Sequence, residues 1–228
     1  MKKTLVIVLG LTISLFALQI PFSVLIGGSN QQFSMFDFIA PSLGGFFGSI
    51  IGAITIVAAK AFNTFAHEEP FNMINVIRLF PLAFGALYFG LRKFPFVKAF
   101  IPLLCMVLFN LHPEGRGAWY YSLYWLIPVV ALLTPHSLIF KSLGATFTAH
   151  AVGGVAFLYA FNLPAEVWIA LIPIVFIERM LFTAGIAASY LATNSVLAFI
   201  SSHPKFAFMA RLVDVQYVFS RSFLKKFV

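Results

Sequence analysis

Apolar residues in this chain come in long unbroken runs, at about 4–26, 37–62, 74–91, 96–111, 118–133, 138–161 and 165–191. Each is close to the roughly 20 apolar residues that cross a bilayer as a helix. Helices are the expected spanning form, because each backbone N–H then finds its acceptor inside its own segment. A membrane β-barrel would show segments of about ten residues that alternate polar and apolar. The stretch Ile169-Ala170-Leu171-Ile172-Pro173-Ile174-Val175-Phe176-Ile177 does not alternate. The pattern predicts an all-α, polytopic membrane protein: one transmembrane helical domain over 1–191, then a basic amphipathic tail over 192–228. Such a tail suits the membrane surface or a cytoplasmic partner. Met1-Lys2-Lys3 resembles the start of a secretory signal. The apolar run behind it is longer than the 7–15 residues of a signal core, so it reads as a retained signal-anchor helix.

Composition agrees. Hydrophobic residues make up 61% of the 228 and charged residues 10%, against about 25% charged in soluble domains. Too few polar side chains remain to cover a soluble surface. The length holds six or seven spans and no separate soluble domain. The net charge of +8 raises the question of a nucleic-acid partner. Its distribution answers that question. Eleven of the 15 basic residues sit in four places: Lys2 and Lys3; Arg92, Lys93 and Lys98; Lys141; and Lys205, Arg211, Arg221, Lys225 and Lys226. If every run spans, the N-terminus faces away from the other three clusters. If the run 37–62 enters and leaves on one face, six runs span and all four clusters become cytoplasmic, as the positive-inside bias prefers. The charge then marks orientation in the cell membrane, with a cytoplasmic N-terminus, and no nucleic acid is required.

Enzyme signatures are missing. There is no GxxxxGK[ST] phosphate loop and no HExxH pair. Gly48-Ser49-Ile50-Ile51-Gly52 has its serine one position early for a nucleophile elbow. Cys105 is the single cysteine and lies in an apolar run, where packing is its expected role. His67-Glu68-Glu69 and His112 with Glu114 lie in different loops without a ligand spacing, so no metal and no cofactor is expected.

The most specific stretch opens at Phe36-Asp37-Phe38-Ile39-Ala40-Pro41, continues through a glycine-rich run to Gly52, and closes at Lys60 and Asn63. Gly44, Gly48 and Gly52 fall at i, i+4 and i+8, a small face for helix packing. Asp37 stands either as a helix cap or as a substrate contact at the membrane edge. Lys60 is placed to snorkel to the opposite interface. Over about residues 33–98, with the basic turn at Arg92-Lys93, the chain resembles the substrate-binding S-components of energy-coupling-factor (ECF) vitamin transporters, the riboflavin-type branch most of all. It departs from that pattern in its split closing pair and in Ser49, where the family often has proline. The resemblance implies a small six-helix protein that binds a vitamin-like molecule from outside. It also implies a membrane coupling subunit, cytoplasmic ATPases, and toppling of the subunit to release cargo. The family's first helix meets the coupling subunit through small residues, a role that would fall here to Gly10, Ser14 and Ala17.

Two further constellations break the apolar runs. His150 lies among Thr146, Thr148, Gly153 and Gly154, and Glu178 and Arg179 follow Trp168 and Pro173. Ionisable residues within a membrane are costly and are functional candidates, although an interhelical bond or internal ion pair explains them equally. Being adjacent, Glu178 and Arg179 point about 100° apart on a helix and are expected to serve different neighbours. Asn110, Trp119 and Tyr120 lie in an aromatic-rich segment that suits either an interfacial belt or a loop that admits cargo. The expected binding set is Asp37, Asn110, Trp119, Tyr120, His150, Glu178 and Arg179. The expected function is a non-enzymatic uptake subunit. The alternatives are an intramembrane enzyme that acts on a lipid-linked substrate through His150, Glu178 and Arg179, and a structural or assembly subunit of a membrane complex.

Overall fold

In chain order, helix α1 (Lys2–Leu18) leads into a two-residue antiparallel ladder of β1 (Pro21–Phe22) with β2 (Phe33–Ser34), which pairs Pro21 with Ser34. Then come α2 (Phe36–Phe47), α3 (Ser49–Ala66), α4 (Met73–Arg78), α5 (Pro81–Gly90), α6 (Pro95–Leu111) and α7 (Pro113–Gly117). The segment Trp119–Leu133 is largely 3-10 helix around α8 (Ile127–Val130). Next are α9 (Leu138–Phe161) and α10 (Ala165–Ser201), followed by 3-10 turns at Pro204–Leu212 and Val215–Tyr217. The structure, a computed structural model, describes residues 2–22, 33–91 and 95–219. Arg92, Lys93, Arg221, Lys225 and Lys226 lie outside the described residues.

The chain is all-α. Ser49–Ala66, Met73–Gly90 (α4 and α5 end to end), α9 and α10 are long and apolar enough to cross a membrane, and α1, α2, α6 and 119–133 are shorter apolar helices. The segment 119–133 offsets its shortness by its geometry. At about 2.0 Å per 3-10 residue and 1.5 Å per α residue it reaches about 28 Å, close to a hydrocarbon core of about 30 Å.

The three glycines do not form one helical face. Gly48 has φ +88°, a conformation open to glycine and strained for other residues, and the chain reverses there. A Cβ placed on Gly52 would lie 2.6 Å from the Gly44 nitrogen, whereas eight residues of continuous helix would separate the two by about 12 Å. The i, i+4, i+8 expectation fails because it assumes an unbroken helix through Gly48. Helices α2 and α3 form a hairpin, and α5 packs into it just as closely. A Cβ on Gly44 would overlap the Ala86 carbonyl, and one on Gly90 would overlap the Gly44 carbonyl. Lipid is as apolar as the side chains, so burial alone does not hold membrane helices together; close backbone approach does.

The small face of α1 packs inside the chain. Ser14 and Ala17 are buried, and a Cβ on Gly10 would enter the Phe47 ring. The expectation that Gly10, Ser14 and Ala17 meet a separate subunit is therefore corrected, since the hairpin already occupies them. Val8, Leu9, Ile13 and Phe16 form the exposed face of α1.

The boundary expected at residue 191 falls inside α10, whose 37 residues extend about 56 Å. The tail folds back on the end of this helix. Asn194 Oδ1 accepts from the Asp214 N–H at 2.8 Å, and Ser195 Oγ accepts from the Phe219 N–H at 3.0 Å. The Gln216 amide and the Tyr217 hydroxyl both donate to the His136 carbonyl at 3.0 Å. Lys141 joins tail and body, with its ammonium 4.2 Å from the Phe89 ring centre and 5.5 Å from that of Tyr217. Lys98 stands over Tyr88 at the same end of α5. Lys98, Lys141 and the folded-back tail therefore gather at the end of the bundle marked by Phe89.

Gly44→Ala is expected to destabilise the protein by about 1–3 kcal/mol, because the backbone it meets cannot yield cheaply. Gly153→Ala, whose Cβ would sit 3.4 Å from Pro81 Cγ, is expected to be neutral. Thermal unfolding of both variants in detergent checks the contrast.

Candidate functional site

The hairpin controls what the sequence can bring together. Asp37 and Lys60 stand eleven residues before and twelve after Gly48. The reversal sets them at one level of the bundle, and both line a single cavity of about 750 Å³. This corrects the expectation that Lys60 reaches the interface opposite Asp37. The cavity also draws on α9 through His150, Gly153 and Gly154, on α10 through Trp168, Glu178 and Arg179, and on Tyr121. Ser34, Asn63, Thr64, Glu69, Asn75 and Arg78 complete its polar lining. It occupies the half of the bundle away from Phe89, Lys98 and Lys141. Its volume falls in the range of about 300–1,000 Å³ typical of small-molecule sites.

Asp37 Oδ2 accepts from the Ser34 N–H at 2.8 Å and from the Ser34 hydroxyl at 3.2 Å. Four residues on, Pro41 has no N–H to offer the Asp37 carbonyl. Lys60 Nζ donates to the Arg78 carbonyl at 2.7 Å, the last residue of α4, where a cation suits the unpaired carbonyls of a helix end.

His150 is held on both sides. The Trp125 indole N–H donates to its Nδ1 at 3.1 Å, and its Nε2 lies 2.8 Å from the Tyr121 hydroxyl oxygen. An indole nitrogen only donates, so the ring nitrogen it meets must carry a lone pair. The imidazole is then neutral, its other nitrogen carries the proton, and the Tyr121 oxygen accepts a hydrogen bond from that N–H. The result is the same whichever nitrogen faces Trp125. Tyr121 is left with its own O–H to donate, and it lines the cavity.

Glu178 and Arg179 serve each other rather than different neighbours. Arg179 Nη2 lies 3.5 Å from Glu178 Oε2, with the Glu178 and Arg179 side chains 11% and 12% exposed. Arginine is long enough to bend back across the 100° that separates adjacent positions. Its guanidinium lies 4.5 Å from the Phe182 ring centre and 5.8 Å from that of Phe33. Arg179 Nε is buried without a hydrogen-bond partner.

Among the residues expected at the site, Asp37, His150, Glu178 and Arg179 meet at this cavity. Asn110, Trp119 and Tyr120 do not line it. The Asn110 amide donates to the Met106 carbonyl and to Ser122 Oγ, at 2.7 and 3.0 Å. Trp119 and Tyr120 point outward, 55% and 39% exposed. The nearby polar residues act as helix caps, as when Glu114 accepts from the Ala165 N–H at 2.9 Å, the first residue of α10. Tyr121 lines the cavity in place of its expected neighbours Trp119 and Tyr120. The usable signal was that Tyr121 and Trp125, four apart in an apolar segment, both carry polar tips that need partners when buried. Among the described residues, no three His, Cys, Asp or Glu side chains converge as a metal site. Comparison with family models, with curated proteins and with solved structures gives no match to this chain.

Nitrogen-15 NMR of histidine-labelled protein is expected to show His150 with one protonated and one bare ring nitrogen near neutral pH. A fully protonated imidazolium there would contradict the Trp125–His150–Tyr121 arrangement.

Proposed function

We propose that this protein is the membrane-embedded substrate-binding subunit of an uptake transporter for a vitamin-like micronutrient, energised by separate ATPase subunits. The observation that carries the reading is the cavity itself. Asp37, Lys60, His150, Glu178 and Arg179 come from four helices and converge on one space of about 750 Å³. Such groups are costly in a membrane unless they line a pathway or a site. The hairpin enters and leaves at the cavity end, which supports six crossings. With Lys98, Lys141 and the tail at the other end, the positive-inside bias turns that end to the cytoplasm. The cavity then opens outward, where an uptake subunit takes its cargo. The coupling subunit would meet the exposed face of α1 at Val8, Leu9, Ile13 and Phe16. The enzyme alternative is weaker, because Trp125 and Tyr121 occupy both ring nitrogens of His150 and leave none free for proton transfer.

Affinity purification from native membranes in mild detergent is expected to recover a coupling subunit, two ATPases and a bound small molecule. Recovery of the protein alone, with its cavity empty by native mass spectrometry, would contradict the proposal.

A further inference from the structure

Arg179 holds more hydrogen-bonding capacity than the chain uses. A guanidinium presents five N–H donors and does not lose its charge by deprotonation. Among the described residues the one polar contact of its guanidinium is Glu178 at 3.5 Å, longer than the 2.7–3.2 Å of a good N–H···O bond. Its Nε is buried and makes no bond at all. Buried donors left unmade are expensive, and Phe182 and Phe33 offer only ring faces. Across the cavity, Tyr121 has a hydroxyl proton that His150 cannot take. Arg179 of α10 and Tyr121 of the segment 119–133 both line the cavity, where an acceptor-bearing ligand meets the remaining guanidinium N–H groups and the Tyr121 hydroxyl.

We infer that the cargo of this cavity carries a carboxylate, seated against the Arg179 guanidinium and the Tyr121 hydroxyl, with an apolar body along Phe157, Trp168 and Leu171. The inference rests on reading the cavity as a cargo site and adds the chemical class of the cargo. A carboxylate offers two acceptor oxygens and one negative charge, which matches a guanidinium geometrically. A phosphate dianion fits worse. The lining sets Lys60, Arg78 and Arg179 against Asp37, Glu69 and Glu178, so its formal charges already balance. Glu178 stands beside the same guanidinium and would repel a second negative charge. Lys60 already donates to the Arg78 carbonyl.

The test is to purify the full chain from native membranes, extract the bound small molecule, and measure its mass before and after methyl esterification. The expected wild-type ligand shows the mass shift of a carboxylic acid. Its occupancy is expected to fall about tenfold in Arg179→Gln and several-fold in Tyr121→Phe, with Glu166→Gln, exposed in the first turn of α10 and outside the cavity lining, near wild type. Tyr121→Phe keeps the ring and carries the test if Arg179→Gln elutes as aggregate. A neutral, cationic or phosphorylated ligand, or a carboxylate retained fully in Tyr121→Phe, overturns the inference and leaves the cargo reading standing. No ligand from wild type removes the cargo reading, and the inference with it.

Discussion

Backbone-to-backbone contact at Gly44, Gly52 and Gly90 is the constraint on which the rest of this molecule depends. Three helices meet there without side chains between them, and Gly48 supplies the positive φ that turns α2 back into α3. In lipid, where apolar side chains gain nothing by leaving solvent for a partner helix, such contact is the main source of cohesion. It also fixes register. Asp37 and Lys60 face one cavity because they are nearly equidistant from the reversal.

Much of the architecture was legible in the sequence. Among the described residues the apolar runs are largely helical, as α-helix or, over 119–133, mostly as 3-10 helix, because backbone groups in hydrocarbon have few other ways to be satisfied. The possibility of a broken glycine-rich segment was legible too. Its geometry was not: i, i+4, i+8 spacing describes a straight small face as well as it describes a hairpin, and only the φ of Gly48 separates them. The small residues Gly10, Ser14 and Ala17 mark a close-packing face of α1, but a sequence does not say whose helix such a face meets, and the expected partner subunit gives way to the chain's own hairpin. Phe47 fills that face.

The site was half legible. Asp37, His150, Glu178 and Arg179 stood out because ionisable residues are rare in apolar runs, and the fold gathers all four. Tyr121 was hidden by its neighbours. Trp119, Tyr120 and Tyr121 are chemically alike, and in a 3-10 segment one residue of difference rotates a side chain by about 120°. Tyr121 turns inward to His150, while Trp119 and Tyr120 turn outward. Glu178 and Arg179 carry a related lesson. The direction of Cα–Cβ bonds suggested separate partners, and the length of the arginine side chain brought the two together.

The chain reverses at Gly48 and so brings Asp37 and Lys60 to one cavity. Spin labels at Met35 and Phe65, both solvent- or lipid-exposed, in a Cys105→Ala background, measure this directly by double electron–electron resonance. The hairpin gives an expected distance below about 25 Å, set by neighbouring helices about 8–10 Å apart plus the label arms. A distance near 45 Å, the length of about 30 residues of continuous helix, would contradict the account.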